Sequence, residues 1–370
     1  MRILLTLPEL NSGGVESHVF DLARALKKDG HHIVVVSAGG QKVDDLKKAG
    51  VVHYQLDVKS KSLYTVLCAI RSMKKIIKNE DIQVVHAHSR VPAWIGYYAA
   101  RKEKVPFLTT AHSQYSIHLG SKSMVKGERI IVVSQTVADH LHHGFQIPYE
   151  KMVHIRPAVD IQYFARGSDF RIRTREELGI KEEEMIIGNV ARLTRLKGHQ
   201  YLLQATAIIK DKLESDKQKS KYRLLIVGDG SKKDELMGLA EELGIKDMVI
   251  FVGDRNDIPQ LLAAMDIFVL SSINEGLGLS AVEAMAAKKP VVLTDCCGVA
   301  KDITDGQEGL IVPTAEPDKM ASSIYQLSQQ HKLRENLAKQ GNSFVKNNFS
   351  ISKMVEDTII LYHSLIKKQR

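Results

Sequence analysis

The chain has 370 residues, 44% of them hydrophobic and 26% charged, with a formal net charge of +9. That length exceeds what one hydrophobic core usually serves, so two domains are expected, and the balanced composition excludes a disordered chain. The positive excess predicts a polyanionic partner: nucleic acid, an anionic membrane surface or a phosphorylated ligand.

The opening MRILLTLPELNSGG is too short in its apolar part for a secretion signal and is interrupted by Pro8 and Glu9. No apolar run approaches the roughly 18–20 residues needed to cross a bilayer, so a cytoplasmic location is expected. Cys68, Cys296 and Cys297 make neither a disulfide framework nor a zinc pattern, and reduced thiols are expected.

In chain order, the first half alternates β-branched runs with helix-period segments. RILLTLP is followed by a helix over about 15–29, HIVVVSA by one near 43–49, and IQVVHAHS, FLTTAHS and RIIVVSQ continue the strands. Between Lys59 and Lys78 lie six basic residues (Lys59, Lys61, Arg71, Lys74, Lys75, Lys78) and no acidic one. From Leu63 the apolar positions Val66, Leu67, Ile70, Met73, Ile76 and Ile77 follow a helical period. Such a helix either lies on an anionic membrane or packs on the core with a solvated basic face. Lys102, Lys104, Lys122 and Lys126 add to the positive surface.

The segment 153–179 loses the alternation and carries Pro157 and Gly167, which places a domain boundary there. We expect domains over 1–165 and 166–349. The second half repeats the scheme with MIIGNVAR, RLLIVGDG, MVIFVGD, IFVLSS and PVVLTD, and the charged run 211–221 reads as a loop after a helix. The fold expected is α/β, with two Rossmann-like, doubly wound parallel-sheet domains.

Open α/β sheets bind ligands beyond the carboxyl ends of their strands. Gly13 and Gly14 precede a helix there and suit close approach of an anion, or a turn alone. In GNVARLTRLKGHQ, Arg192 ends a strand and Lys197 precedes a glycine and a helix, so two cations bracket one loop in positions suited to phosphate. Gly228 and Gly230 allow contact with a nucleotide or merely make the turn. Glu275 lies in the loop INEGLG and Glu283 one turn into the next helix. Carboxylates beside phosphate-binding cations serve as acceptors for sugar hydroxyls, and a nucleoside diphosphate sugar fits all four side chains in one pocket.

EGLGLSAVEAMA resembles the E-x7-E motif of the retaining glycosyltransferases of family 4, which have the two-domain GT-B fold. GGVESHVFDLARAL, VVHAHS, TTAHS, IIVVSQ, VARLTRLKGHQYLLQA, LLIVGDGSKKDEL and PVVLTD fall in that family's order. The resemblance implies two domains facing a cleft, the first binding acceptor and the second a nucleotide sugar, with a C-terminal helix over about 350–370 returning to the first. It implies that Arg192 and Lys197 hold the donor diphosphate, Glu283 the ribose and Glu275 the transferred sugar. Backbone N–H groups of Gly276, Leu277 and Gly278 would support the sugar or distal phosphate, and Gly14 would close over the phosphates. His112, in TTAHS, matches the family's active-site histidine; by residue type alone it is equally a structural imidazole. RPAVD at 156–160 departs from the Asn-Gly that relatives often have before Val-Asp, and a different interdomain hinge is expected.

The chain has no Asp-x-Asp triplet to hold a metal on the diphosphate, so no cofactor and no metal requirement are expected. His86 and His88 have ligand-type side chains but are expected on opposite faces of a strand, without a shared site. No helix-turn-helix, finger or aromatic–basic interleaving supports nucleic-acid binding. The competing readings are a GT-B sugar phosphorylase, a nucleotide-sugar epimerase and a non-catalytic nucleotide-sugar-binding module. The acceptor expected is a glycan or lipid-linked molecule at the cytoplasmic face of an anionic membrane, as in glycolipid or lipopolysaccharide synthesis.

Overall fold

The computed structural model describes residues 1–11, 13–215 and 221–367. The elements of the first half are β1 (Arg2–Thr6), α1 (Gly14–Lys28), β2 (His32–Ser37), α2 (Val43–Lys48), β3 (Val52–Gln55), α3 (Leu63–Asn79), β4 (Val84–Ala87), α4 (Arg90–Glu103), β5 (Phe107–Ala111), β6 (Arg129–Val132), α5 (Gln135–Phe145) and β7 (Met152–His154). There follow α6 (Ile161–Ala165), α7 (Arg171–Glu177), β8 (Met185–Val190), α8 (His199–Ser215), β9 (Tyr222–Val227), α9 (Lys233–Glu242), β10 (Val249–Phe251), α10 (Ile258–Ala264) and β11 (Ile267–Leu270). The chain ends with α11 (Leu279–Ala286), β12 (Val291–Thr294), β13 (Leu310–Val312), α12 (Pro317–Gln329), α13 (His331–Asn348) and α14 (Ile351–Lys367).

Two compact units result: residues 1–158 with 351–370, and residues 159–350. The first ends at Ala158 rather than at 165, because α6 packs against α10 and α11 of the second. A side chain on Gly167 would lie 2.1 Å from the Pro259 carbonyl oxygen, so the segment after α6 is also held tightly there.

The first sheet is parallel, in the order β3-β2-β1-β4-β5-β6-β7. Its inner strands β1, β2, β4, β5 and β6 are buried on both faces, as β-branched runs such as Ile33–Val36 require. One face packs on α1 and α14, where Leu22 and Leu26 meet Met354, Leu361 and Tyr362. The other packs on α3 and α4 through Met73, Ile77, Ile95 and Ala99.

The second sheet is also parallel, in the order β10-β9-β8-β11-β12-β13, and α8, α9 and α12 contribute Leu202, Leu236 and Ile324 to one core. Helix α8 continues to Ser215, so the start of the run 211–221 is helical rather than loop, while 216–220 lie outside the described residues. Each sheet reverses its winding once, between β1 and β4 in the first and between β8 and β11 in the second. Loops leaving neighbouring strands in opposite directions open a crevice at such a point.

Candidate functional site

In the second unit, Arg192 and Lys197 follow β8 and Glu275 follows β11, the two strands that flank the reversal. Backbone bonds shape the first loop: Ala191 N–H donates to Val227 O (3.0 Å), Leu193 N–H to Asp229 O (2.9 Å) and Lys232 N–H to Leu193 O (3.0 Å). A single 3-10 turn then carries Lys197 to Gly198, which adopts φ +63°. A Cβ at Gly198 would lie 2.0 Å from the Ser271 carbonyl oxygen, so glycine is required for the loop to reach β11. The Ser271 hydroxyl donates to Lys197 O (3.0 Å), and Ile273 N–H donates to Leu196 O (2.9 Å).

These contacts set the Lys197 ammonium against the Glu275 carboxylate in a direct ion pair, with side-chain exposures of 21% and 14%. Glu275 also accepts from the Ser272 hydroxyl (3.1 Å) and from Gly276 N–H (3.1 Å). From the end of β12, the Thr294 hydroxyl (2.7 Å) and the Cys296 thiol (3.0 Å) donate to Ser272 O and brace the loop. Arg192 is exposed and its guanidinium makes no hydrogen bond or ion pair with another described residue. Glu283 is half-buried in α11. Thus Lys197 and Glu275 are brought into contact, Arg192 shares the β8 loop, and Glu283 stands on the helix that Glu275's loop enters. Gly278 caps α11 at φ 90°, and the N–H groups of Leu277 and Gly278 have no hydrogen-bond partner among the described residues. An anion can take donors there.

Packing also bears on the glycines of the ligand-side loops. A Cβ at Gly228 would meet Ala191 O at 2.1 Å, and one at Gly230 would meet Leu193 O at 2.5 Å, so both are glycine because the Arg192 loop packs on their backbone. At the start of α1, the Glu16 carboxylate lies over Gly13, where a Cβ would meet its Oε2 at 2.3 Å. Gly14 opens the helix. This acid already complements the positive helix end, and a phosphate at Gly13–Gly14 would have to displace it.

In the first unit, His112 directly follows β5 and is half-buried. Its Nε2 lies 3.1 Å from Nδ1 of His88, and its ring stands 4.9 Å from that of His18 on α1. Its backbone N–H donates to the Tyr115 hydroxyl (3.2 Å). His86 and His88 do not face opposite ways: their rings are 4.1 Å apart, because residues two apart on an extended chain share a face. His86 is engaged at both nitrogens, Nδ1 with the Tyr362 hydroxyl and Nε2 with the Thr110 hydroxyl, both at 2.7 Å. Burial holds all four imidazoles neutral, with His18 pushed down to about 4 by burial alone and the other three well below their usual value, with smaller contributions from neighbouring rings. His18 and Asn189, whose side chain bonds Val269 O (2.8 Å) and His199 (3.0 Å), were not legible as site residues. Asn189 is a polar interruption in the run MIIGNV, and that was the one available signal.

Helix α3 is divided along its length. Ala69, Met73, Ile76 and Ile77 are core residues, but Leu63 and Tyr64 are 74% and 77% exposed and Leu67 is exposed with them. Lys59, Lys61, Arg71, Lys75 and Lys78 are exposed too, and Lys74 pairs with Glu103 (3.4 Å) and Lys59 with Glu9 (3.2 Å). Lys102, Lys104, Lys122 and Lys126 are also exposed, the last over the rings of Trp94 and Tyr97. Among the described residues no helix is long and apolar enough to cross a membrane.

Two family models match, Glycosyltransferase Family 4 over residues 12–163 and Glycosyl transferases group 1 over residues 170–344. The chain is 24% identical to N-acetyl-alpha-D-glucosaminyl L-malate synthase of Bacillus anthracis, across 98% of this chain and 96% of that protein. A glycosyltransferase from Rickettsia africae superposes with a TM-score of 0.85 at 27% identity, covering 99% of each chain. HepE of Anabaena, solved in complex with UDP and glucose, superposes at 0.84 with 20% identity, covering 99% of this chain and all of that one. The chain is therefore a glycosyltransferase of family 4, built on the GT-B fold.

Proposed function

We propose that the protein is a retaining glycosyltransferase that moves a sugar from a nucleoside diphosphate sugar to an acceptor hydroxyl, without a divalent metal. The observation that carries this reading is the Lys197–Glu275 pair, fixed by Gly198 and Ser271 at the reversal of the second sheet, on the same loop as the exposed Arg192. As the bond from the anomeric carbon to the diphosphate breaks, negative charge grows on the leaving group. Arg192 and Lys197 neutralise it, and cations fixed beforehand gain most at that moment. Glu275, already accepting from three donors, takes hydroxyls of the transferred sugar, and Glu283 those of the ribose. The N–H groups of Leu277 and Gly278 support the distal phosphate. On the first unit, His112 is a neutral imidazole suited to a hydrogen bond with a sugar hydroxyl.

Uridine is the base we favour, since HepE was solved with UDP. For the acceptor, the exposed Leu63, Tyr64 and Leu67 beside Lys61, Arg71 and Lys75 support a lipid-linked molecule at an anionic cytoplasmic membrane face, as in cell-surface glycan synthesis. A small hydroxy acid is the second reading, favoured by the name of the Bacillus anthracis relative.

The test is a transfer assay with a panel of UDP- and GDP-sugars, offering vesicle-borne glycolipid or malate as acceptor, with the product's anomeric configuration read by NMR. Retention of the donor configuration is expected. An inverted product refutes the retaining assignment, and free sugar 1-phosphate or an isomerised nucleotide sugar would replace transfer with phosphorylase or epimerase chemistry.

A further inference from the structure

The histidine cluster at the reversal of the first sheet goes beyond what glycosyl transfer needs. His18 comes from α1, His88 from the end of β4 and His112 from the end of β5, and one ring nitrogen of each lies within 4.8 Å of the others. We propose that these three side chains bind one zinc ion, and that the bound ion inhibits transfer by occupying the imidazole of His112.

The donor set selects the metal class. Three imidazoles with no carboxylate suit zinc, copper or nickel, whereas magnesium, calcium and manganese favour oxygen ligands. A tetrahedral zinc with bonds of about 2.0–2.1 Å places its ligand nitrogens roughly 3.4 Å apart. The His88 Nδ1 to His112 Nε2 separation of 3.1 Å is already close to that, and the full 4.8 Å span closes with ring movements on the order of 1 Å.

A plain hydrogen-bonded histidine network accounts for less of the geometry. His18 and His88 are 6% and 1% exposed, yet His18 Nδ1 and His88 Nε2 have no hydrogen-bond partner among the described residues. Buried polar atoms are normally paired, so His18 Nδ1 is capacity that the protein itself does not use, while His88 offers the cluster Nδ1, the nitrogen that faces His112, and among the described residues its ring is held by that contact alone. His86 lies beneath, its two nitrogens bonded to Tyr362 and Thr110 and its ring 4.1 Å from that of His88, so it fixes the platform without supplying a ligand. Three ligands leave one coordination position open, and half-buried His112 gives the ion a way in.

The test uses the full chain carrying Cys68→Ser, Cys296→Ser and Cys297→Ser, which removes all three thiols that also attract zinc. Cobalt(II) titration followed by visible absorption is expected to show one tetrahedral site per chain, displaced by one equivalent of zinc. His18→Gln and His88→Gln, each checked for folding by thermal denaturation, are expected to weaken zinc binding by roughly a hundredfold or more, while the exposed His143→Ala leaves it unchanged. No saturable tetrahedral cobalt signal, or unchanged, wild-type zinc affinity in the two glutamine variants, would overturn the site. The inhibitory half rests on the proposed transfer reaction: one equivalent of zinc should stop it in the thiol-free protein and not in His18→Gln. Zinc binding without loss of transfer would refute that half, and the cobalt spectrum is independent of it.

Discussion

Replacing Lys197 by alanine removes one of the two cations assigned to the proposed leaving group, and two separate effects follow. Lys197 is placed by its own backbone, through the Ser271 hydroxyl on its carbonyl and the close seat of Gly198 on β11, so its ammonium is oriented before any ligand arrives. A donor fixed in this way contributes about 3–4 kcal/mol to the transition state, so turnover should fall on the order of a hundred- to thousandfold. The second effect is on folding. Glu275, 14% exposed at its side chain, loses its ion-pair partner but keeps the Ser272 hydroxyl and Gly276 N–H, which limits the destabilisation to about 1–3 kcal/mol. The assay is release of nucleoside diphosphate under saturating donor, on variant protein whose urea unfolding shows it to be fully native. Near-wild-type turnover in a native Lys197→Ala protein would refute the assignment of this lysine to the leaving group.

Two further predictions concern acid stability and lipid binding. His199 is fully buried at the start of α8, with Nε2 3.0 Å from Asn189 Oδ1, and burial, with a smaller contribution from Lys197, pushes its pKa down to about 4. As the pH falls the unfolded chain takes up this proton first, near its ordinary value of about 6.5, so the stabilisation is whole above 6.5 and is lost between there and about 4. The loss amounts to about 3 kcal/mol, and urea unfolding from pH 7 to 4 should show a shallower decline for His199→Gln than for wild type; parallel declines would contradict it. On the first unit, vesicles with anionic headgroups should sediment with the protein more than neutral ones, and reversing Lys61, Arg71 and Lys75 to glutamate should abolish the preference, at about 1 kcal/mol for each charge removed. Equal binding to both kinds of vesicle would remove the membrane reading.

The strands buried in the middle of each sheet were readable because both faces demand apolar, β-branched side chains. β3, β7 and β13 were not readable: each closes an edge, is three or four residues long and is largely half-exposed, so VHYQ, MVH and LIV lack a distinguishing run. Lys197 and Glu275 lie far apart in sequence, and their contact depends on Gly198 passing within touching distance of Ser271, which no local pattern announces. The packing demand on Gly228 and Gly230 was hidden for a related reason, since the backbone they accommodate belongs to another loop. The strand period of two puts His86 and His88 on one face rather than on opposite faces, and His18 has no signal at all, because a histidine on an amphipathic helix meets the strand ends only after α1 has packed on the sheet.

Calorimetric titration with UDP and with GDP in metal-free buffer tests the central claim most directly, that the cations of the β8 loop hold the donor's diphosphate. Wild type should bind one of the two nucleotides at a single site, and Arg192→Ala and Lys197→Ala should each weaken that binding at least about tenfold, as expected for a lost charge-assisted hydrogen bond to phosphate. Equal affinity in wild type and both variants would contradict it.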